Sequence, residues 1–89
     1  MALADMQSVE MTGAGAAMAS PDALFHLGLQ YAIGRGVEAD PVTAHKWFNL
    51  SALRGNDAAK AHRAEIAREM SKHQIADAQR KAREWLRGT

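Results

Sequence analysis

Histidine side chains are the groups in this 89-residue sequence best suited to bind a metal ion or to transfer a proton. His26, His45, His62 and His73 lie 19, 17 and 11 residues apart, so none of them forms the H-x-x-x-H spacing that places two ligands on one helix face. The sequence contains no cysteine, which excludes thiolate metal sites and thiol nucleophiles. We therefore predict no bound metal and no cofactor. His62, which falls on an apolar stripe, is expected at the edge of the core with its ring hydrogen-bonded to a carbonyl or carboxylate.

Catalysis would need a nucleophile with a base, or two carboxylates in different environments, inside a pocket that excludes water. The candidate pair Glu65 and Glu69 is four residues apart, which is the usual spacing of solvated carboxylates on one helix face. The turn Gly34-Arg35-Gly36 lacks the later glycine, the lysine and the Ser or Thr of a phosphate-binding loop. We therefore predict that the protein is not an enzyme.

Charge is distributed unevenly along the chain. Residues 1–22 carry three acidic side chains and no basic one, whereas residues 58–89 carry eight Lys or Arg against four Asp or Glu. The formal net charge of the whole chain is only +1, and its surface mixes both signs, which is not typical of a nucleic-acid-binding domain. Contact between nucleic acid and the basic C-terminal helices is therefore a weaker alternative.

The N-terminal residues 1–20 are rich in Ala, Met, Gly and Ser, and the stretch GAGAAMAS has no helical or strand periodicity. We predict a flexible or partner-dependent arm, in which Leu3, Met6 and Val9 can form a short apolar stripe. This segment has no basic residue and no continuous apolar core, so a secretory signal is not expected. No apolar run approaches the roughly 18–20 residues of a membrane-spanning helix. We expect a cytoplasmic protein without a membrane span.

Capping residues mark the beginnings of four predicted helices. Ser20-Pro21 and Asp40-Pro41 each combine an N-cap with a proline at the first helical position, and these two helices run to about residues 33 and 54. Asn56-Asp57 begins a third helix that reaches about Met70. The capping box Ser71-Lys72-His73-Gln74 begins a fourth, to about Arg87.

The expected fold is all-α, with two antiparallel helix hairpins preceded by the arm. Gly34-Arg35-Gly36 is predicted to turn the chain between the first two helices, since glycine takes a positive φ without a Cβ clash, and Gly55 ends the second helix. Gly28 is predicted to let Trp47 pack against the first helix. One hairpin covers residues 21–57 and the other covers residues 58–89.

The first hairpin follows a fixed order of small residues, large residues and a G-x-G-V turn. The residues in this order are Ala23, Leu27, Gly28, Tyr31, Gly34, Gly36, Val37, Asp40, Ala44, Trp47, Ala52 and Gly55. The pattern resembles the Sel-one-like repeat (SLR), a relative of the tetratricopeptide repeat. In the second hairpin, His62 and Arg63 stand 35 residues after Leu27 and Gly28. We therefore interpret residues 58–89 as a degenerate C-terminal capping hairpin of a short α-α superhelix.

The resemblance implies a non-catalytic adaptor or scaffold of bacterial type that binds another protein or a peptide. In these repeats the first helix of each hairpin lines the binding face. The implied partner-binding residues are His26, Gln30, Ile33, Glu65 and Arg68, with Ala61 at the corresponding place on the third helix. Because one repeat and a cap are fewer than the usual three units, the alternative is a small structural subunit of a larger complex or a homo-oligomer.

Overall fold

The computed structural model of the chain describes residues 19–88, which form four helices and contain no strand. These are α1 (Pro21–Ile33), α2 (Pro41–Leu53), α3 (Asp57–Ala67) and α4 (Lys72–Gly88). The predicted all-α class and the number of helices are confirmed. The predicted arm lies outside the described residues except for its last two positions. None of the described helices is both long and apolar enough to cross a membrane.

All four predicted N-caps are present. The Ser20 hydroxyl accepts a hydrogen bond from the Ala23 N–H at 3.0 Å, and the Asp40 carboxylate accepts from the N–H groups of residues 42 and 43. The Asn56 side chain caps α3 through the Ala59 N–H. At α4 the predicted capping box forms two reciprocal hydrogen bonds. The Gln74 N–H donates to the Ser71 hydroxyl, and the Ser71 N–H donates to the Gln74 side chain. Each cap satisfies backbone donors that the first helical turn leaves unpaired.

The third helix is shorter than predicted, because it ends at Ala67 rather than at about Met70. The N–H groups of Arg68, Glu69 and Met70 each donate to the carbonyl three residues earlier, so the last turn tightens instead of continuing the α-helix. This turn leaves Met70 buried. Met70 is therefore part of the core although it lies beyond the end of α3.

Helix α2 is the centre of the molecule, because α1, α3 and α4 each pack against it more extensively than against one another. Its buried residues point in several directions around the helix: Ala44, His45, Trp47, Phe48, Leu50, Ser51 and Ala52. A helix that is buried nearly all round has no single apolar stripe. The other three helices therefore take their positions from α2.

Gly28 allows α1 to approach α2 closely, and the side chain that fills the space is Phe48. A Cβ atom added at Gly28 would overlap the Phe48 ring. The prediction that Trp47 occupies this place is wrong. Phe48 shares with Ser51 the side of α2 that faces α1, where the Ser51 hydroxyl donates to the Pro21 carbonyl at 2.7 Å. Trp47 is the residue before Phe48, so its side chain points in a direction about 100° away around the helix axis.

Trp47 instead joins α2 to α4. Its fully buried ring meets the Trp85 ring edge to face, with 5.7 Å between centroids and 82° between planes. This is a favoured geometry for an aromatic pair. Leu24 and Leu27 of α1 and Ala82 of α4 belong to the same core cluster, which therefore joins three helices.

We expect Gly28→Ala to destabilise the fold by about 1–3 kcal/mol, because the new Cβ overpacks against the Phe48 ring. Gly88→Ala is the matched control, since nothing lies within 4 Å of a Cβ at that position. The control should be neutral or slightly stabilising, because alanine favours a helix over glycine by about 1 kcal/mol. Chemical denaturation measures both changes. Equal effects of the two substitutions would remove Gly28 from the α1–α2 contact.

Candidate binding face

One side of α1 carries a cavity of about 350 Å³ that is lined by His26, Leu29, Gln30, Ile33 and Arg35. The first four residues recur at spacings of three and four, so they share one face of α1. Leu24 and Leu27, which pack on α2, lie on the opposite side of this helix. Ile33 is 62% exposed, which makes it one of the most exposed large apolar side chains of the described residues.

A second cavity, of about 340 Å³, lies between α1 and α3. Ala32 of α1 and Ile66 of α3 form apolar walls, and Phe48 of α2 reaches the cavity from the core. His62, Glu65 and Glu69 complete the lining. We call the two cavities together the α1–α3 face.

Aromatic rings hold α1, α2 and α3 together beside the second cavity. The His62 ring lies 5.0 Å from the Phe25 ring and 5.5 Å from the Phe48 ring, measured between centroids, and Phe25 and Phe48 are 5.9 Å apart. His62 is at the edge of the core, as predicted, but it is exposed and packs against rings. The predicted hydrogen bond to a carbonyl or carboxylate is not found within the described residues.

The two carboxylates of the second cavity are unusual among those of residues 19–88. Asp22, Asp40, Asp57, Asp77 and Glu84 each bond to a side chain or cap a helix. Over the same residues, only Glu38, Glu65 and Glu69 have neither a hydrogen bond nor an ion pair through their carboxylates. Glu65, near the end of α3, and Glu69, in the turn after it, bring two carboxylates that are unpaired within residues 19–88 to one cavity.

The structure distributes the predicted partner-binding residues over three places. His26, Gln30 and Ile33 come together in the first cavity, and Glu65 lines the second. Arg68 lines neither cavity and lies in the turn after α3. Ala61 is exposed outside both cavities.

Two apolar residues of the α1–α3 face, Leu29 and Ile66, were not among the predicted partner-binding residues. Leu29 is three residues after His26 and four before Ile33, so helical spacing alone places it beside them. Ile66 is half-buried and forms a wall of the second cavity. No local signal identifies Ile66, because its exposure depends on the distance between α1 and α3.

His45 is buried on α2, unlike the exposed His62. Burial lowers the pKa of His45 below its ordinary value of 6.5, and the positive charge of Arg63 lowers it further. Arg63 itself donates to the Asn49 side chain at 2.6 Å, which holds its charge near α2. His45 therefore favours its neutral form in the folded protein.

The α1–α3 face offers apolar surface beside two carboxylates, an arrangement suited to binding an apolar side chain next to a cation. Within residues 19–88, no three His, Asp or Glu side chains are grouped closely enough to hold a metal ion. Comparisons with protein-family models, with curated proteins and with solved structures found no match to this chain. The resemblance to the SLR family therefore stays a prediction from the order of residues 23–57.

We expect the stability of the protein to fall as the pH drops below the ordinary histidine pKa. The pKa of His45 is lower in the folded protein than in the unfolded chain, so the unfolded chain binds the proton first as the pH falls. The free energy of unfolding therefore has its full value above pH 6.5 and declines between pH 6.5 and the folded pKa. The slope is at most about 1.4 kcal/mol per pH unit for one group. Denaturation at several pH values measures it. His45→Gln should flatten the decline, whereas His73→Gln at an exposed position should preserve it. Equal slopes in the parent and His45→Gln would contradict this assignment.

Proposed function

We propose that this protein is a non-catalytic protein-binding module, an adaptor or scaffold of the SLR type, and that it binds its partner on the α1–α3 face. The observation that carries the proposal is Ile33, a large apolar side chain that is 62% exposed at the edge of a cavity. Exposed apolar surface rimmed by polar residues is typical of protein-binding sites. We further propose a cytoplasmic location and a bacterial source.

The two cavities suit a protein segment better than a small molecule. The first is lined by one helix and the residue Arg35 in the turn that follows it, so it is a shallow surface rather than an enclosed pocket. A peptide can place one apolar side chain against Leu29 and Ile33 and another against Ile66, while Gln30 bonds to its backbone. Small-molecule sites bury most of their ligand, which this face cannot do.

The SLR resemblance supports the same face independently of the cavities. In that family the first helix of each hairpin lines the binding surface, and α1 and α3 are the corresponding helices here. Arg68 and Ala61, which the resemblance also implies, would then contact only a partner that extends beyond both cavities. The alternatives are a structural subunit or homo-oligomer and, more weakly, contact with nucleic acid through α4.

The experiment compares two exposed apolar residues that differ in their position. Ile33 is 62% exposed on the α1–α3 face, and Leu53 is 65% exposed at the end of α2, in neither cavity. We expect Ile33→Glu to reduce capture of the partner from host cells by about tenfold or more, which corresponds to about 1.4 kcal/mol of binding free energy. Leu53→Glu should preserve capture. Quantitative mass spectrometry of the captured proteins provides the measurement.

Both variants should melt at the temperature of the parent, because neither side chain belongs to the buried core. A change in capture can then be assigned to the surface and not to the fold. Equal capture by the two variants, whether retained or lost, would contradict a partner-binding role of the α1–α3 face.

A further inference from the structure

We propose that the second cavity binds the C-terminal end of α4 of a second copy of this chain, so that copies associate head to tail. This inference rests on the proposed function, because it names an occupant of the α1–α3 face. Both contacting surfaces lie within the described residues. The acceptor surface is the cavity beside Glu65 and Glu69, and the donor surface is formed by Arg83, Leu86 and Arg87.

The acceptor surface is complementary to an apolar side chain next to positive charge. Ile66 and Ala32 provide apolar walls, and the carboxylates of Glu65 and Glu69 have no cation within the described residues. These two carboxylates are four residues apart along the chain. A ligand with two cations at a similar spacing and an apolar group between them is complementary to this surface.

The C-terminal end of α4 carries two cations with an apolar side chain between them along the chain. Arg83 and Arg87 are exposed and four residues apart on one face of the helix, and neither pairs with a carboxylate of residues 19–88. Arg80 differs, because its guanidinium bonds to both Asp77 and Glu84. Leu86 lies on the same side as the two free arginines and is 42% exposed.

The contact can form only between two copies. On α2, Asn49 bonds to Arg63 of α3, whereas Trp47 contacts Trp85 of α4. Residues two apart on a helix point about 200° from one another, so α3 and α4 lie on opposite flanks of α2. The end of α4 therefore cannot reach the second cavity of its own chain.

The two surfaces differ from each other, so in the head-to-tail association that we propose the copies form an open chain, or a ring where the rotation between copies closes. Each copy would use its cavity for one neighbour and its α4 for another, and the assembly would grow with concentration. Exposed charge pairs contribute most of the complementarity, so salt should weaken the association.

The first measurement is the weight-average mass of the full chain by sedimentation equilibrium. At about 1 mM protein and low salt, where even a contact of millimolar affinity is populated, we expect a mass well above 9.6 kDa. At about 0.5 M NaCl, where the screening length is only a few ångströms, the mass should return to 9.6 kDa. A monomer under both conditions would overturn the inference.

Charge reversal then tests the two surfaces. The cavity variant is Glu65→Lys with Glu69→Lys, and the α4 variant is Arg83→Glu with Arg87→Glu. Each variant alone should be monomeric at low salt. An equimolar mixture should associate again, because each reversed surface meets its complement on the other variant, which an unfolded protein could not do. The control Lys60→Glu with Lys72→Glu changes the net charge as much as the α4 variant but lies in neither surface, and it should associate like the parent.

Association that persists in both variants, or a mixture that stays monomeric, would overturn the inference. A failure of the self-association can be distinguished from a failure of the proposed function. A protein that never associates with itself but loses its partner only in Ile33→Glu would still bind another protein on the α1–α3 face. If the chain associates through the two charged surfaces but Ile33→Glu and Leu53→Glu capture the partner equally, the self-association stands and the proposed partner-binding role of the α1–α3 face fails.

Discussion

The close approach of α1 to α2 at Gly28 is the contact on which the other features depend. The missing side chain at Gly28 makes room for Phe48, which is almost fully buried and still reaches the second cavity. With the Phe48 ring held there, His62 of α3 packs against it at 5.5 Å between centroids. One aromatic ring therefore sets the spacing of three helices and also forms part of the candidate site. A larger residue at Gly28 would disturb both.

The carboxylates of the described residues fall into two groups, those with a partner in the chain and those without one. Most carboxylates of the described residues act locally, as caps such as Asp40 or as partners of a cation such as Asp77 with Arg80. These contacts are exposed or half-exposed, so solvent screens the charged ones and they add little to stability. Within residues 19–88, Glu65 and Glu69 make no such contact.

Local features of the fold could be predicted from the sequence, and features that depend on the distance between helices could not. The caps at Ser20, Asp40 and Asn56 follow from residues within three positions of each helix start. Which of Trp47 and Phe48 packs at Gly28 does not follow from the local sequence, because α2 is buried nearly all round and either ring could face α1. The candidate site divides in the same way: the first cavity lies on one helix, whereas the second requires the spacing of α1 and α3.

The central place of α2 also explains how one side of α1 and one side of α3 can stay exposed. Because α2 contacts all three other helices, the core needs only one side of α1 and one side of α3. The outer sides, with Ile33 on α1 and Glu65 on α3, contribute little to folding and can take residues that suit a partner. A bundle in which every helix contacted every other would bury these sides. Packing around one helix therefore gives both a stable core and an exposed face on which apolar and charged groups lie side by side.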